Sequence, residues 1–249
     1  MEILKQYIGE EKGLRIVSAF SVLGLGIVIA SIVGSYSFYR VHTLDNTLSV
    51  TGSATQTVQA DSAKWTISVN RTTLESSMES TQAKVAADSQ QVIAFFKDAG
   101  VSDEDITAST VYVDQIYTSD SNAPRSYTVH EDITMQSTDP SKVDTLSKDV
   151  RKLLAKGVLV SAQAPQYYIS NLPELRVALI GKAVQDAKAR ATEIAKATGQ
   201  KVGALESASG GVVQVMAPNS VDVSDYGSYD TSTMEKQVMV TTHATFYLK

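Results

Sequence analysis

The 249-residue chain contains no cysteine. That excludes disulfides, thiolate metal sites and cysteine nucleophiles. Histidine is scarce too: His42, His130 and His243 stand far apart. A metal site ordinarily takes three or four ligands of suitable type. Structural or exposed histidines are therefore expected, and no metal or cofactor. There is no basic stripe. Residues 41–249 carry 18 Lys/Arg against 24 Asp/Glu, so nucleic acid is not an expected partner. No G-x-S-x-G turn and no glycine-rich phosphate loop occurs; "SASGG" at 207–211 lacks both frames, and Gly210-Gly211 reads as a bulge or turn. With no nucleophile–base pair to name, the chain is not expected to be an enzyme.

What is present is one long uncharged run, the 24 residues Ile16 to Tyr39. As a helix it would reach about 36 Å, enough for a hydrocarbon core about 30 Å thick. A cleavable export signal has a shorter apolar region and a small-residue cleavage site. This run ends instead in Tyr36, Phe38, Tyr39 and Arg40, an aromatic belt with a cationic stop. Lys5, Lys12 and Arg15 precede it, so the N-terminus is expected in the cytoplasm and the bulk of the chain outside. The expected layout is a short cytoplasmic segment 1–15, a transmembrane anchor 16–39 in contact with lipid, a linker 40–46 and an extracytoplasmic domain 47–249. Gly26, Ala30 and Gly34 form a small-residue seam on which two such helices can approach.

Residues 47–59 and 63–72 are rich in β-branched residues and read as strands joined around Ala60-Asp61-Ser62. Met78, Val85, Val92 and Phe96 mark a helix over 75–99, with Gly100 at its left-handed cap. Strands follow at 106–117 and 126–137, linked by the polar loop 118–125. Asp139-Pro140 opens a helix with the stripe Val143, Leu146, Val150, Leu153, Leu154, which Gly157 ends. A strand at 158–170 precedes a third helix from Pro173 to Gly199. Its face carries Leu175, Ala178, Leu179, Ala183, Ala187, Ala191, Ile194 and Ala195. Strands at 201–216 and 235–248 enclose the polar loop 216–235. The order ββαββαβαββ predicts an α+β class with mostly antiparallel sheet and three packed helices after the transmembrane segment. Two layers are expected: strands with the first helix, and strands with the later two.

Three stretches resemble the SIMPL domain family, the group of periplasmic immunogenic and oxidative-stress defence proteins. "LSVTGSATQTVQADSAKWTISV" carries Val50, Gly52, Ala54 and Asp61 in the family's opening pattern, with Ala60 where proline is usual. "AGVSDEDITASTVYVDQIY" supplies Gly100, Val101, Asp105, Ile106, Thr107, Tyr112 and Tyr117. "ELRVALIGKAVQDAKARATEIAKATGQKVGAL" supplies Arg176, Ala183, Ala187, Ala191, Ile194, Ala195, Gly199 and Gly203. The resemblance covers about residues 47–248. It implies a SIMPL fold on the outer side of the inner (cytoplasmic) membrane, facing the periplasm. It also implies self-association, in some members into ring- or channel-like assemblies, and a link with envelope and oxidative-stress responses. It implies no established enzymatic activity. Most members carry a cleaved signal; this chain is expected to keep its hydrophobic segment.

The remaining polar and aromatic clusters have modest readings. Asp222, Asp225 and Asp230 share one loop without EF-hand spacing and read as solvated. Trp65, Tyr112, Tyr117, Tyr127, Tyr167 and Tyr168 read as core or cross-strand aromatics. The expected function is a non-enzymatic, membrane-anchored protein whose main partner is itself, as ring, channel or scaffold. The alternative is a periplasmic ligand- or partner-binding module using loops 118–125 and 216–235.

Overall fold

The structure, a computed structural model, describes residues 2–43, 46–120, 123–220, 224 and 226–249. In order the elements are α1 (Glu2–Thr43), β1 (Thr47–Gln59), β2 (Ser62–Leu74), a short 3-10 turn, and α2 (Met78–Asp98). Then come β3 (Ile106–Ala108), β4 (Tyr112–Ile116), β5 (Ser126–Ser137), α3 (Pro140–Lys148) and α4 (Arg151–Ala155). β6 (Val160–Ala162), β7 (Gln166–Tyr168), α5 (Leu172–Ala197), β8 (Val202–Met216) and β9 (Glu235–Leu248) complete the chain. The class is α+β, as expected. The chain divides into two compact units, residues 51–187 with 209–243, and residues 1–50 with 188–208 and 244–249.

The larger unit is built on a six-stranded antiparallel sheet. β2 and β5 pair along twelve positions, from Ala63 opposite Ser137 to Leu74 opposite Ser126. β3 and β4 flank β5, and β6 and β7 flank β2. Alternate residues point to one face, where α2 and α3 pack. There Trp65, Ile67 and Val69 of β2 and Val129, Ile133 and Met135 of β5 meet Val85, Val92 and Phe96 of α2. Trp65 and Phe96 sit 5.6 Å apart at 53°, and the indole N–H donates to the Gln163 carbonyl at 2.7 Å. A second buried cluster joins Ile169 and Leu179 to Val215, Val238 and Val240. A separate sheet has the order β1-β9-β8, so β1 and β2, adjacent in sequence, belong to different sheets.

Two of the expected strands are each split in two. Ala108 pairs with Ile133 and Tyr112 with His130. Three residues, 109–111, therefore face only two on β5, which is a β-bulge. Ser109 fills it, donating its N–H to the Asp132 carbonyl while its hydroxyl accepts from the Asp132 N–H. The same happens on the other flank: Ala162 pairs with Ile67 and Gln166 with Lys64, leaving 163–165 opposite two residues of β2. Pro165 lies in that bulge, where a missing N–H costs no ladder bond.

The expected helix after Asp139 is also two. Asp139 caps α3, its Oδ1 accepting the Lys142 N–H at 3.1 Å. At Asp149-Val150 the chain switches to i−3 hydrogen bonds before α4 begins. The phase change keeps Leu153 buried at 1% exposure and turns Leu154 out at 51%, against the expected stripe. In α5 the buried line is Leu179, Ala183, Ala187, Ala191 and Ala195, spaced by four. Ile194 and Ala178 lie off that line and are exposed. The layer assignment needs correcting as well: α3 packs on β2 of the six-stranded sheet with α2, not with α5. Helix ends follow the sequence. Gly100, at φ +77°, closes α2 in a Schellman pair, Gly100 N–H to Lys97 and Val101 N–H to Phe96; Gly157 and Gly199 repeat it.

In the smaller unit the ends of the strands are tied together. Leu248 N–H donates to the Asn46 carbonyl, Lys201 and Lys249 exchange backbone hydrogen bonds, and Ser49 and Thr245 hydroxyls lie 2.9 Å apart. α1 belongs to this unit. Its stretch Phe20–Tyr39 has a mean hydropathy of 1.8 and none of it is buried, so it is long and apolar enough to cross a membrane. The helix continues to Thr43, past the expected end of the span.

Candidate functional site

The residues singled out from the sequence fall into distinct places. On α1, apart from the helix's own backbone, nothing among the described residues lies within 4 Å of a Cβ built on Gly26 or Gly34, and Ala30 is exposed. The seam is thus open along the helix surface. Gly52 is the opposite case. A Cβ there would lie 2.1 Å from the Ala183 carbonyl oxygen and 2.4 Å from the Ala187 nitrogen, because α5 lies directly on β1. The alanine line of α5 and Gly52 are one device: small residues on both sides let backbone meet backbone. Asp61 holds the start of β2 to the approach of α5, its two carboxylate oxygens accepting from Ser170 N–H at 2.8 Å and Ser170 hydroxyl at 2.6 Å. Val50 is a half-buried position in β1, while Arg176 is exposed beside a groove with Val177 and Val213.

A polar cleft of about 610 Å³ forms where three stretches converge: the start of β2, the link from α2 to β3, and the turn from β5 into α3. Gly100 and Asp105 line it, facing Lys64, Asp139, Lys142 and Tyr168. Lys142 bridges two walls by donating from Nζ to the Gly100 carbonyl at 2.8 Å. Lys97 and Asp103 pair at 2.6 Å in the link between them. Two ammonium groups and two carboxylates leave the cleft balanced in charge, with serine, threonine and glutamine filling between them. Such a lining can hydrogen-bond a small polar molecule. Among the described residues that line it there is no histidine.

The histidines are dispersed. His130 stacks on Tyr112 at 5.3 Å and lies 3.4 Å from Asp114. His243 Nδ1 lies 2.8 Å from the Thr51 hydroxyl, and the side chain of His42 lies outside the described residues. Among the described residues no three His, Asp or Glu side chains converge as metal ligands. Strand β4 is exposed at all five positions, and the stretch around it carries Val111, Tyr112, Val113, Ile116 and Tyr117 on the surface. Of the expected binding loops, residues 121–122, 221–223 and 225, and with them Asp222 and Asp225, lie outside the described residues.

Asp230, expected to be solvated, is half-buried and organises a hydrogen-bonded knot around the buried Lys236. Burial opposes its ionisation, but hydrogen bonds from the hydroxyls and N–H groups of Ser232 and Thr233 outweigh it and hold the carboxyl well below the usual range. The Lys236 side chain is fully buried, donates to the Asp230 carbonyl and lies 3.4 Å from its carboxylate. Burial lowers the Lys236 pKa and Asp230 partly restores it. Beside it, Tyr229 accepts the Ile169 N–H at 2.8 Å and its ring lies 6.1 Å from Tyr168. A second polar seam lies under α2. Asp88 accepts from Arg71 Nε and Nη2 at 2.6 Å, Thr81 donates to Thr73 at 2.9 Å, and Ser89 donates to Glu131. Neither feature shows in the residue pattern, since Lys236, Asp88 and Glu131 read as ordinary surface charges.

No curated protein matches this chain. Residues 48–246 match the SIMPL family model, described as a protein of unknown function (DUF541). The match runs from within β1 to within β9 and takes in the helices α2 to α5. On that coverage the chain belongs to the SIMPL family.

Proposed function

We propose that this chain is a non-enzymatic SIMPL protein, anchored by residues 16–39 in the cytoplasmic membrane with its N-terminus inside and its bulk on the periplasmic side, that assembles with copies of itself. The observation that carries this is β4. Proteins blunt exposed sheet edges by keeping them short, bulged or charged. β3, β6 and β7 follow that rule, with three residues each beside the two bulges. β4 also starts at a bulge and carries one exposed charge, Asp114, but it is longer and sets exposed valine, isoleucine and tyrosine around its pairing edge, which suits strand addition from another chain. The Gly26/Ala30/Gly34 seam offers a second weak contact, and confinement to one membrane raises the effective concentration for both. The assembly serves as a scaffold or channel in the envelope, and the link with oxidative-stress defence comes from the family resemblance. Native mass measurement with particle imaging tests this on the full chain in mild detergent and on residues 41–249. A discrete high-order particle is expected; monomers in both samples at micromolar concentration would overturn it.

A second reading is favoured by the polar cleft: a module that binds a small polar ligand. In that case substitution of Lys64 and Asp105 abolishes binding of the ligand while the assembly state is unchanged.

A further inference from the structure

A second concavity in the larger unit differs in chemistry from the polar cleft. It is a groove of about 880 Å³ between the end of α2 and the α3–α4 pair. Its floor is apolar: Phe95 and Ala99 on one side, Leu146 and Ala155 on the other. The change of helical phase at Asp149-Val150 contributes to it, because it lets Leu146 of α3 and Ala155 of α4 line the same slot. The rim is charged. Lys142, Lys152 and Lys156 stand against Asp98 and Asp149. Asp149 is already paired with Lys152 at 2.6 Å, and that bond holds its carboxyl below the usual range. The Lys156 ammonium has no carboxylate partner among the described residues. Lys142 is shared with the polar cleft, and the rim is one charge positive in a chain whose net charge is −5, with Lys156 as the cation left for a ligand.

An apolar floor with a cationic rim fits a molecule with an apolar tail and an anionic head. A helix from a second copy fits less well. The described α2, α3 and α5 turn their apolar lines into their own cores, and Phe20–Tyr39 of α1 has no charge to meet the rim. We propose that this groove binds the carboxylate form of a long-chain fatty acid, its tail over Phe95, Ala99, Leu146 and Ala155 and its head at Lys156. The site is independent of whether the chain assembles.

The test uses the full chain in phosphatidylcholine nanodiscs and a diazirine-bearing palmitic acid, irradiated and mapped by peptide mass. Label is expected in peptides covering 95–99 and 141–156, separate from any label in 20–39, and excess palmitate competes it away. Lys156→Glu is expected to lower groove labelling at least fivefold and Ala155→Trp to abolish it, with labelling of 20–39 unchanged in both. Both positions are exposed, and circular dichroism confirms folding; Lys156→Glu, which alters only a surface charge, keeps the test decisive if the tryptophan disturbs α4. The matching diazirine fatty alcohol is expected to label the groove at least fivefold less. Label confined to 20–39, groove label indifferent to either substitution, or equal labelling by the alcohol would overturn the proposal.

Discussion

Gly52 and Gly181 are both glycines of the larger unit, and they demand opposite things. At Gly52 the obstacles to a Cβ are backbone atoms of α5, which cannot rotate aside. Gly52→Ala is expected to cost about 3 kcal/mol, at the upper end for overpacking, or roughly 6–12 °C in Tm for a chain of this size. At Gly181, inside α5, nothing among the described residues beyond the helix's own backbone lies within 4 Å of the added Cβ. Gly181→Ala is expected to stabilise by about 0.5–1 kcal/mol, since alanine is the better helix former and less free when unfolded. Thermal unfolding of the two variants in the same detergent checks both. Asp230 gives a pH effect at the same scale. Its carboxyl is depressed in the folded state, so its contribution is complete above the unfolded pKa of about 4 and is lost as pH falls below that value. Asp230→Asn should therefore lower stability at pH 7, and its stability should fall less steeply than that of the parent between pH 4 and pH 2. Equal slopes in acid-unfolding curves would mean that the carboxylate plays no such part.

At the scale of elements, the sequence announced every strand and helix by type but not where they break. Period and capping were legible: Asp139-Pro140, Gly100, Gly157 and Gly199 stand where the chain turns. The bulge at Ser109 was not, because it sits between runs that favour strand; Pro165 did mark an interruption, but only the register against β5 and β2 exposes the extra residue. The break at Asp149-Val150 hid for the same reason, as both residues are compatible with helix. Of the candidate surfaces, the helix long and apolar enough to cross a membrane was legible by length and composition, whereas the polar cleft depends on three distant segments meeting. The seam under α2 was illegible because a charge on a helix face reads as solvated until its partner is known. Asp88 is nearly buried and Arg71 only partly exposed, with side-chain exposures of 8% and 24%. Asp88→Ala leaves a half-covered guanidinium without its partner and is expected to cost about 3 kcal/mol. Replacing both, as Arg71→Met with Asp88→Leu, is expected to recover most of that loss. A double-mutant cycle of Arg71→Met, Asp88→Leu and both together, by denaturant unfolding, measures the coupling; additive losses would show that the pair contributes only through its separate packing.

For the whole molecule, the two proposed self-contacts can be separated by where they act. Val113→Lys places a charge on the exposed edge strand, the device by which sheet edges avoid pairing. It lies on the surface, so folding should be unaffected. Gly26→Leu with Gly34→Leu fills the open seam on α1, where an added Cβ meets no described residue beyond the helix itself and the larger side chains would hold a second helix away. If both contacts contribute, each variant lowers the mass of the native particle in mild detergent, and their combination gives monomers. In association free energy the combined loss should be smaller than the sum of the single losses, because each contact raises the effective concentration for the other and either variant alone already forfeits that coupling. If β4 alone assembles the chain, Val113→Lys gives monomers and the seam variant leaves the particle intact. If the seam alone does so, the outcome is reversed, and residues 41–249 are monomeric. A particle that survives the combined variant would remove both surfaces from the proposal and place self-association elsewhere on the chain.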